Sequence, residues 1–240
     1  MRKYGLIGYP LRHSWSRGYF TNKFKENNID AFYDNLEIEN LEGIKDLLVS
    51  NNYKGFNVTI PYKEKILGYV DGIDDKVNTI KACNCIKIID GIFIGTNTDI
   101  IGFKESYKDI LNPNKKALIL GTGGASKSVA FVLDELGIKY KYVSRSYKDR
   151  ALEYKDLNKE IINSHKIIIN TTPLGTFPNI NQFPDIPYDF ITPEHVCIDL
   201  IYNPEKTLFL QKCEKQGATI RNGYDMLIKQ AEASWDFWNS

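Results

Sequence analysis

The stretch from Lys116 to Leu136 constrains this chain more than any other. An apolar run, KALIL, breaks into Gly121, Gly123 and Gly124, and a helical pattern resumes from about Ala125 to Leu136. Missing side chains let the backbone turn sharply and let an anion approach the N–H groups at the helix start. The helix dipole favours negative charge there. Strand, glycine turn and helix together fit a pyrophosphate-binding loop of Gly121, Thr122, Gly123, Gly124 and Ala125; the plainer reading is a tight turn and nothing more. The next strand, KYKYVS, bears on which ligand such a loop would take. Loops that hold NAD usually have Asp or Glu at that strand's end, bonded to the ribose 2′-hydroxyl. Here the end is Ser144, Arg145 and Ser146, without a carboxylate. Arg145 can pair with a 2′-phosphate through its planar fork, with Lys148 and Arg150 close by in sequence. The competing reading is a solvated basic turn.

The rest of the chain alternates in the same way. KYGLIGYP reads as a strand stopped by Gly8 and Pro10, and Ser16 as the cap of a helix to about Asn28. AFYDNLEI reads as a strand, Leu41–Val49 as a helix, GFNVTI as a strand and KEKILGYV as a helix. Two β-rich runs flanking Asp90-Gly91 then predict an antiparallel hairpin at the end of a sheet. Asp99 is the expected cap of a helix from about Ile100 to Leu111. After the glycine turn, HKIIIN, HVCIDLI and GATIR read as strands, and NGYDMLIKQAEASWDFW as a closing helix. The alternation predicts an α/β protein with a largely parallel sheet.

Polar residues collect at the strand ends. Ser14 and Ser16 follow the first strand and can hold a carboxylate, although a helix cap explains Ser16 as well. Asn57, Thr59 and Lys63 end the third strand; a lysine there is a proton donor or merely exposed. Asn84, Asn97, Thr98 and Asp99 flank the hairpin, where turn chemistry is the plainer account.

Composition sets the outer bounds. A length of 240 residues allows one large domain or two small ones, and 42% hydrophobic with 25% charged residues predicts a folded globular chain. A net charge of +1 argues against a general nucleic-acid surface. Four cysteines, with Cys83 and Cys85 in a CxC, make neither a disulfide framework nor metal-ligand spacing, and His13, His165 and His195 stand apart. The apolar N-terminus is broken by Gly, Pro and Arg, and no run approaches the roughly 18 apolar residues of a membrane span. The expectation is a soluble cytoplasmic protein.

Taken together, GYPLRHSWS, GFNVTIPYK, ACNC, GTNTD, GTGGASKS, SRS, NTTPLG, DLIYNP and NGYDMLIKQA, in this order and along the whole chain, resemble the shikimate dehydrogenase family. The resemblance implies an α/β enzyme of two domains. Residues 1–99 with 224–240 would form an N-terminal α/β substrate domain. Residues 100–223 would form a Rossmann-type, doubly wound dinucleotide-binding domain. It implies NADP as cofactor and reversible reduction of 3-dehydroshikimate to shikimate, a step toward the aromatic amino acids. The partners implied are a small-molecule substrate, no nucleic acid, no membrane and no metal, in a monomer or homodimer. By motif position Lys63 would be the acid/base and Asp99 its partner and a substrate ligand. Ser14 and Ser16 would bind the carboxylate, and Thr59, Asn84, Tyr202 and Gln230 the ring hydroxyls. Gly121 to Ala125 would carry the pyrophosphate and Ser144, Arg145 and Ser146 the 2′-phosphate, with further cofactor contacts from Asp75, Leu200 and Gly223. The chain departs from the family pattern at Arg17 (usually Pro), in ACNC (usually AVNT), in SRS (usually NRT) and at Ile100 (usually Gly). A quinate-preferring relative and a non-catalytic dinucleotide sensor are the alternatives.

Overall fold

The computed structural model describes residues 1–11, 14–145 and 151–240. The chain divides into two compact units, Met1–Thr98 with Ala231–Ser240, and Asp99–Gln230.

The first unit holds strands β1 (Arg2–Gly8), β2 (Ala31–Glu37), β3 (Tyr53–Val58), β4 (Gly72–Ile73), β5 (Cys85–Ile89) and β6 (Ile92–Thr96). Its helices are α1 (Trp15–Glu26), α2 (Ile44–Ser50) and α3 (Asp75–Ile80). The sheet order is β2-β1-β3-β5-β6-β4. β2, β1 and β3 run parallel, β3, β5 and β6 antiparallel, and the two-residue β4 takes the edge parallel to β6. The Asp90-Gly91 turn joins β5 to β6 with positive φ at both residues, as a two-residue hairpin requires. Alternation along β1 sends Tyr4 and Leu6 to one apolar cluster and Ile7 to another. Trp238 stacks on Tyr4 at 4.7 Å and donates its indole N–H to the Ile86 carbonyl at 3.0 Å. Gly55 makes room for it: a Cβ there would stand 2.4 Å from the Trp238 ring.

Helix α4 (Thr98–Tyr107) leads into the second unit. There follow β7 (Ala117–Leu120), α5 (Gly124–Glu135), β8 (Tyr140–Ser144), β9 (Ala151–Glu153), α6 (Lys159–Ser164), β10 (Ile167–Asn170), β11 (Val196–Asp199), α7 (Leu208–Lys215) and β12 (Thr219–Arg221). Helix α8 (Tyr224–Asn239) closes the chain. Every strand pair of this sheet is parallel, in the order β9-β8-β7-β10-β11-β12. That is the doubly wound arrangement, with the strand order reversing between β7 and β10. β7, β10 and β11 are buried at every residue, as strands covered on both faces must be. The boundaries between the units fall inside α4 and α8, so Asp99 and residues 224–230 group with the second unit.

Three local expectations are corrected. Ser14, not Ser16, caps α1, its hydroxyl accepting the Arg17 N–H, and the helix starts at Trp15, whose ring stacks on Tyr19 at 4.5 Å. The segment KEKILGYV forms only a 3₁₀ turn at Lys65–Tyr69; only Ile66 is buried in it and Gly68 interrupts it, too little apolar face to hold an α-helix. Asp99 is the second residue of α4 rather than its cap, because Asn84 from a distant segment takes the first N–H, that of Thr98, at 2.7 Å. The helix then ends at Tyr107, before Leu111.

Candidate active site

Topology gathers the expected substrate residues of the first unit at one end of its sheet. Ser14 and Ser16 follow the carboxyl end of β1, and Thr59 and Lys63 that of β3. Because β5 runs antiparallel to β3, Asn84, just before β5, falls at the same end, and so does Thr98, just after β6. Backbone bonds fasten these segments together. Thr59 N–H donates to Ile7 O at 2.8 Å, Val58 N–H to Asn84 O at 2.8 Å, and Cys83 N–H to Lys63 O at 2.8 Å. Tyr62, beside Lys63, is buried and donates its hydroxyl to Ile38 O at 2.6 Å. Lys63 is thus presented by a pinned backbone on a half-buried side chain, not by a free loop.

The interior of this end is polar and paired. Asn57, Asn84 and Thr98 are 6%, 3% and 1% exposed. Tyr33 donates to Asn57 Oδ1 at 3.0 Å, and burial lifts its phenol well above the usual range, offset in part by a hydrogen bond with Ser16. Asn84 Oδ1 accepts from both Thr98 N–H and Thr98 Oγ1. Cys83 is fully buried and its thiol is pushed up to about 12 by that burial, which keeps it protonated beside Asn84. Asp75 lies exposed in the first turn of α3, which Asp74 caps through the Val77 N–H.

In the second unit the expected cofactor residues fall at the carboxyl ends of parallel strands. Gly121 to Ala125 follow β7, Ser144 ends β8 with Arg145 exposed directly after it, Leu200 follows β11 and Gly223 follows β12. Thr171 and Thr172 follow β10, a placement the sequence reading did not single out. Gly121 has φ +105, and a Cβ on it would lie 2.9 Å from Thr171 Oγ1 and 3.0 Å from Thr172. Its N–H donates to Val143 O at 2.8 Å, while Thr171 holds the Leu120 carbonyl through N–H and hydroxyl. Helix α5 starts from Gly123 with no side-chain cap and no acidic residue in its first turn. A helix start of this kind, at the switch point of the sheet, suits a phosphate by its first N–H groups and its dipole. With Arg145 where a carboxylate would exclude a 2′-phosphate, the residues present fit NADP. Ser146, Lys148 and Arg150, like His13, lie outside the described residues.

Buried Asp199 organises the loop that carries Leu200 and Tyr202. It accepts from Asn170 Nδ2 at 3.1 Å, Thr207 Oγ1 at 2.6 Å and Ile201 N–H at 3.1 Å, and burial raises its carboxyl to about 6 despite these donors. Gly223 is required here: a Cβ would sit 2.0 Å from Leu200 O. Tyr202 is half-buried, and Gln230 on α8 donates to Leu227 O at 2.8 Å. Both belong to the second unit, as does Asp99, whereas Ser14, Ser16, Thr59, Lys63 and Asn84 belong to the first. Reading the sequence missed Tyr33 and Ser234. Ser234 had one available signal, a hydroxyl on the apolar stripe Ala231–Ser234–Trp238 of the closing helix. Among the described residues no cluster of three His, Cys, Asp or Glu is placed to hold a metal, the four cysteines are free and buried, and no helix is long and apolar enough to cross a membrane.

Comparison with known proteins agrees with this geometry. A family model for the shikimate dehydrogenase substrate-binding domain matches residues 6–86. The shikimate dehydrogenase (NADP(+)) of Caldicellulosiruptor bescii is 38% identical, over 99% of this chain and 89% of its own. The crystal structure of shikimate 5-dehydrogenase from Thermus thermophilus in complex with NADP(H) and shikimate superposes with a TM-score of 0.87 at 27% identity, covering 99% of this chain and 93% of that one. The ligand-free 5-ketofructose reductase of Gluconobacter sp. strain CHM43 does so at 0.82 and 27%, covering 99% and 92%, so the fold alone does not set the substrate. With more than a third of its residues shared along nearly its whole length, the chain belongs to the shikimate dehydrogenase family.

Proposed function

We propose that this chain catalyses the reversible NADP-linked reduction of 3-dehydroshikimate to shikimate. The observation that carries the reading is the gathering of Ser14, Ser16, Thr59, Lys63 and Asn84 at one end of the first sheet, in a unit whose family model is a shikimate dehydrogenase substrate-binding domain. Bound NADPH supplies the reducing equivalent at the carbonyl carbon. Lys63 donates the proton that the carbonyl oxygen then needs, and takes it back in the oxidative direction. Asp99 holds a neighbouring hydroxyl and orients the lysine ammonium. Ser14 and Ser16 donate to the carboxylate; Thr59, Asn84, Tyr202 and Gln230 fix the ring hydroxyls. Gly121 to Ala125 take the pyrophosphate, Ser144 to Ser146 the 2′-phosphate, and Asp75, Leu200 and Gly223 are the remaining residues assigned to the cofactor.

Shikimate is preferred over quinate in this reading, since two serines aimed at the carboxylate leave no partner for quinate's extra hydroxyl. An unsatisfied polar group in a closed site costs about 1–3 kcal/mol, roughly 5–150-fold. The decisive experiment is NADPH oxidation with 3-dehydroshikimate, run beside dehydroquinate and 5-ketofructose. Turnover of 3-dehydroshikimate at the highest kcat/KM is expected. Turnover confined to either competitor, or no turnover by folded protein, overturns the reading. Cytoplasmic placement and a monomer or homodimer complete the proposal, to be read by cell fractionation and sedimentation.

A further inference from the structure

We propose that Tyr154 is a further cofactor ligand, its hydroxyl donating to the 2′-phosphate that Arg145 holds. The inference rests on the reading of Arg145 as a 2′-phosphate residue and adds a second group to that site.

Tyr154 opens a 3₁₀ turn, Tyr154–Asp156, at the carboxyl end of β9. β8 and β9 pair in parallel with Ser144 opposite Glu153, so the next residue out is Arg145 on one strand and Tyr154 on the other. Only residues 145–150 separate the two strands, fewer than the dozen or so that a parallel crossover commonly takes. The two strand ends are therefore close neighbours in space as well as in sequence. The Arg145 charge reaches the Tyr154 phenol and pulls against burial, which pushes the phenol up to about 12. At neutral pH Tyr154 is therefore protonated, and its hydroxyl is a donor.

That proton has no acceptor. Among the described residues the Tyr154 hydroxyl is buried and makes no hydrogen bond. The carboxylates beside it in sequence are engaged elsewhere: Glu153 pairs with Lys155 at 2.8 Å, and Asp156 takes the Glu153 N–H at 2.9 Å. Arg145 cannot serve, because a guanidinium carries donors only. Packing does not call for the hydroxyl either. The ring lies against the apolar cluster that holds Val143, Leu157 and Ile162, where phenylalanine would pack as well. A buried hydroxyl without a partner costs stability, and its retention points to an acceptor that a ligand brings.

The neighbouring guanidinium says which acceptor. Two donor groups side by side, one of them charged, make a place for an anion, and a phosphate has oxygens for both. The hydroxyl lies beneath the surface while Arg145 is exposed, so the phosphate docks on the guanidinium first. Reciprocal bonds between Glu153 and Asp156 fix the backbone of the turn, which leaves the two side-chain torsions of Tyr154 to swing the hydroxyl outward. NAD carries only a neutral hydroxyl at that position, a weaker acceptor, so the second donor widens the preference for NADP.

The test separates the 2′-phosphate from the rest of the cofactor. Tyr154→Phe removes the hydroxyl and keeps the ring. It should weaken adenosine 2′,5′-bisphosphate by roughly 10-fold in calorimetric titration, the worth of a hydrogen bond to a charged group, and leave adenosine 5′-monophosphate within about 2-fold. KM for NADPH should rise to match, with kcat and KM for NADH unchanged. Without nucleotide the variant should melt a few degrees above the wild type, since an unpaired buried hydroxyl is gone. Equal losses for both nucleotides would overturn the inference, and a lowered melting temperature beside them would assign the hydroxyl to the fold. Wild-type protein that binds the bisphosphate no tighter than the monophosphate refutes the NADP reading, and the inference falls with it. A wild-type preference that survives Tyr154→Phe in full refutes the inference alone.

Discussion

Two helix starts in this molecule follow strands and are built in opposite ways. At α1 the Ser14 hydroxyl takes the Arg17 N–H, and the same unit is rich in paired side chains: Tyr33, Asn57, Asn84, Thr98. At α5 the cap is Gly123, which brings no side chain to the N–H groups, with Gly124 directly after it. In the proposed function the first region recognises by what it has, the second by what it leaves out. Side chains that satisfy one another fix the direction of each donor and acceptor, which suits a small ring whose hydroxyls must be told apart. Bare backbone at a helix start offers charge complementarity to any phosphate and discriminates little. In the proposed function, selectivity among dinucleotides falls to the end of β8, where Arg145 stands.

The comparison breaks first at Lys63. If the first unit works through specific groups, Lys63→Ala should lower kcat by about 10²–10⁴ while leaving KM for NADPH alone. A folded variant with normal kcat would mean that this end of the sheet binds without doing chemistry. Next comes Arg145. Its charge-assisted bond to a 2′-phosphate is worth about 1.5–3 kcal/mol, so Arg145→Ala should erase roughly 10–150-fold of the preference for NADPH over NADH, mainly by weakening NADPH. Equal kcat/KM for the two cofactors in the wild type would show that β8 does not discriminate.

Gly121→Ala sharpens the contrast from the other side, since it adds a side chain where the site depends on having none. At φ +105 the new Cβ would press on Thr171 and Thr172. The strain should cost about 1–3 kcal/mol of stability, and KM should rise for NADPH but not for shikimate. Matching rises in both KM values would deny that the turn serves the cofactor alone.

The smallest effect is on the pH dependence of stability. His195 is buried with both ring nitrogens used: Nδ1 takes the Thr192 N–H at 3.0 Å and Nε2 faces Ile162 O at 3.1 Å. Burial holds His195 and His165 below the ordinary value of 6.5. The unfolded chain therefore takes up their protons first, and stability present above about pH 6.5 is lost as pH falls. Asp199 works the other way. Its folded value near 6 exceeds the ordinary 3.8, so the folded state binds its proton first and stability is lost as pH rises through about 6. Melting temperatures between about pH 7.5 and 5 should fall less steeply in His195→Gln and more steeply in Asp199→Asn than in the wild type. Parallel curves for all three would exclude both assignments.

Much of this was legible in the chain. KALIL, the glycines and the helix after them announce the strand, the turn and α5, because such a turn needs only local spacing. Asp90-Gly91 announces its hairpin for the same reason, as both residues adopt the positive φ that such turns require. Where sequence reading failed, the deciding partner came from far away. Asp99 reads as a natural cap until Asn84, on the far side of the hairpin, takes the Thr98 N–H. Likewise Ser16 yields the cap to Ser14 while its own hydroxyl meets Tyr33 on a neighbouring strand.

The sequence by itself determined the alternation of elements, the doubly wound second unit and the residue types at each strand end, since these follow from periodicity and backbone freedom within a few residues. Only the tertiary structure decided which way each polar group points. Tyr33, Asn57, Ser234, Thr98 and Asn84 come from segments far apart along the chain, and they meet side chain to side chain only in the folded unit. A donor or acceptor role that depends on a neighbour's neighbour has no trace in local sequence, because it exists only once all five are buried together.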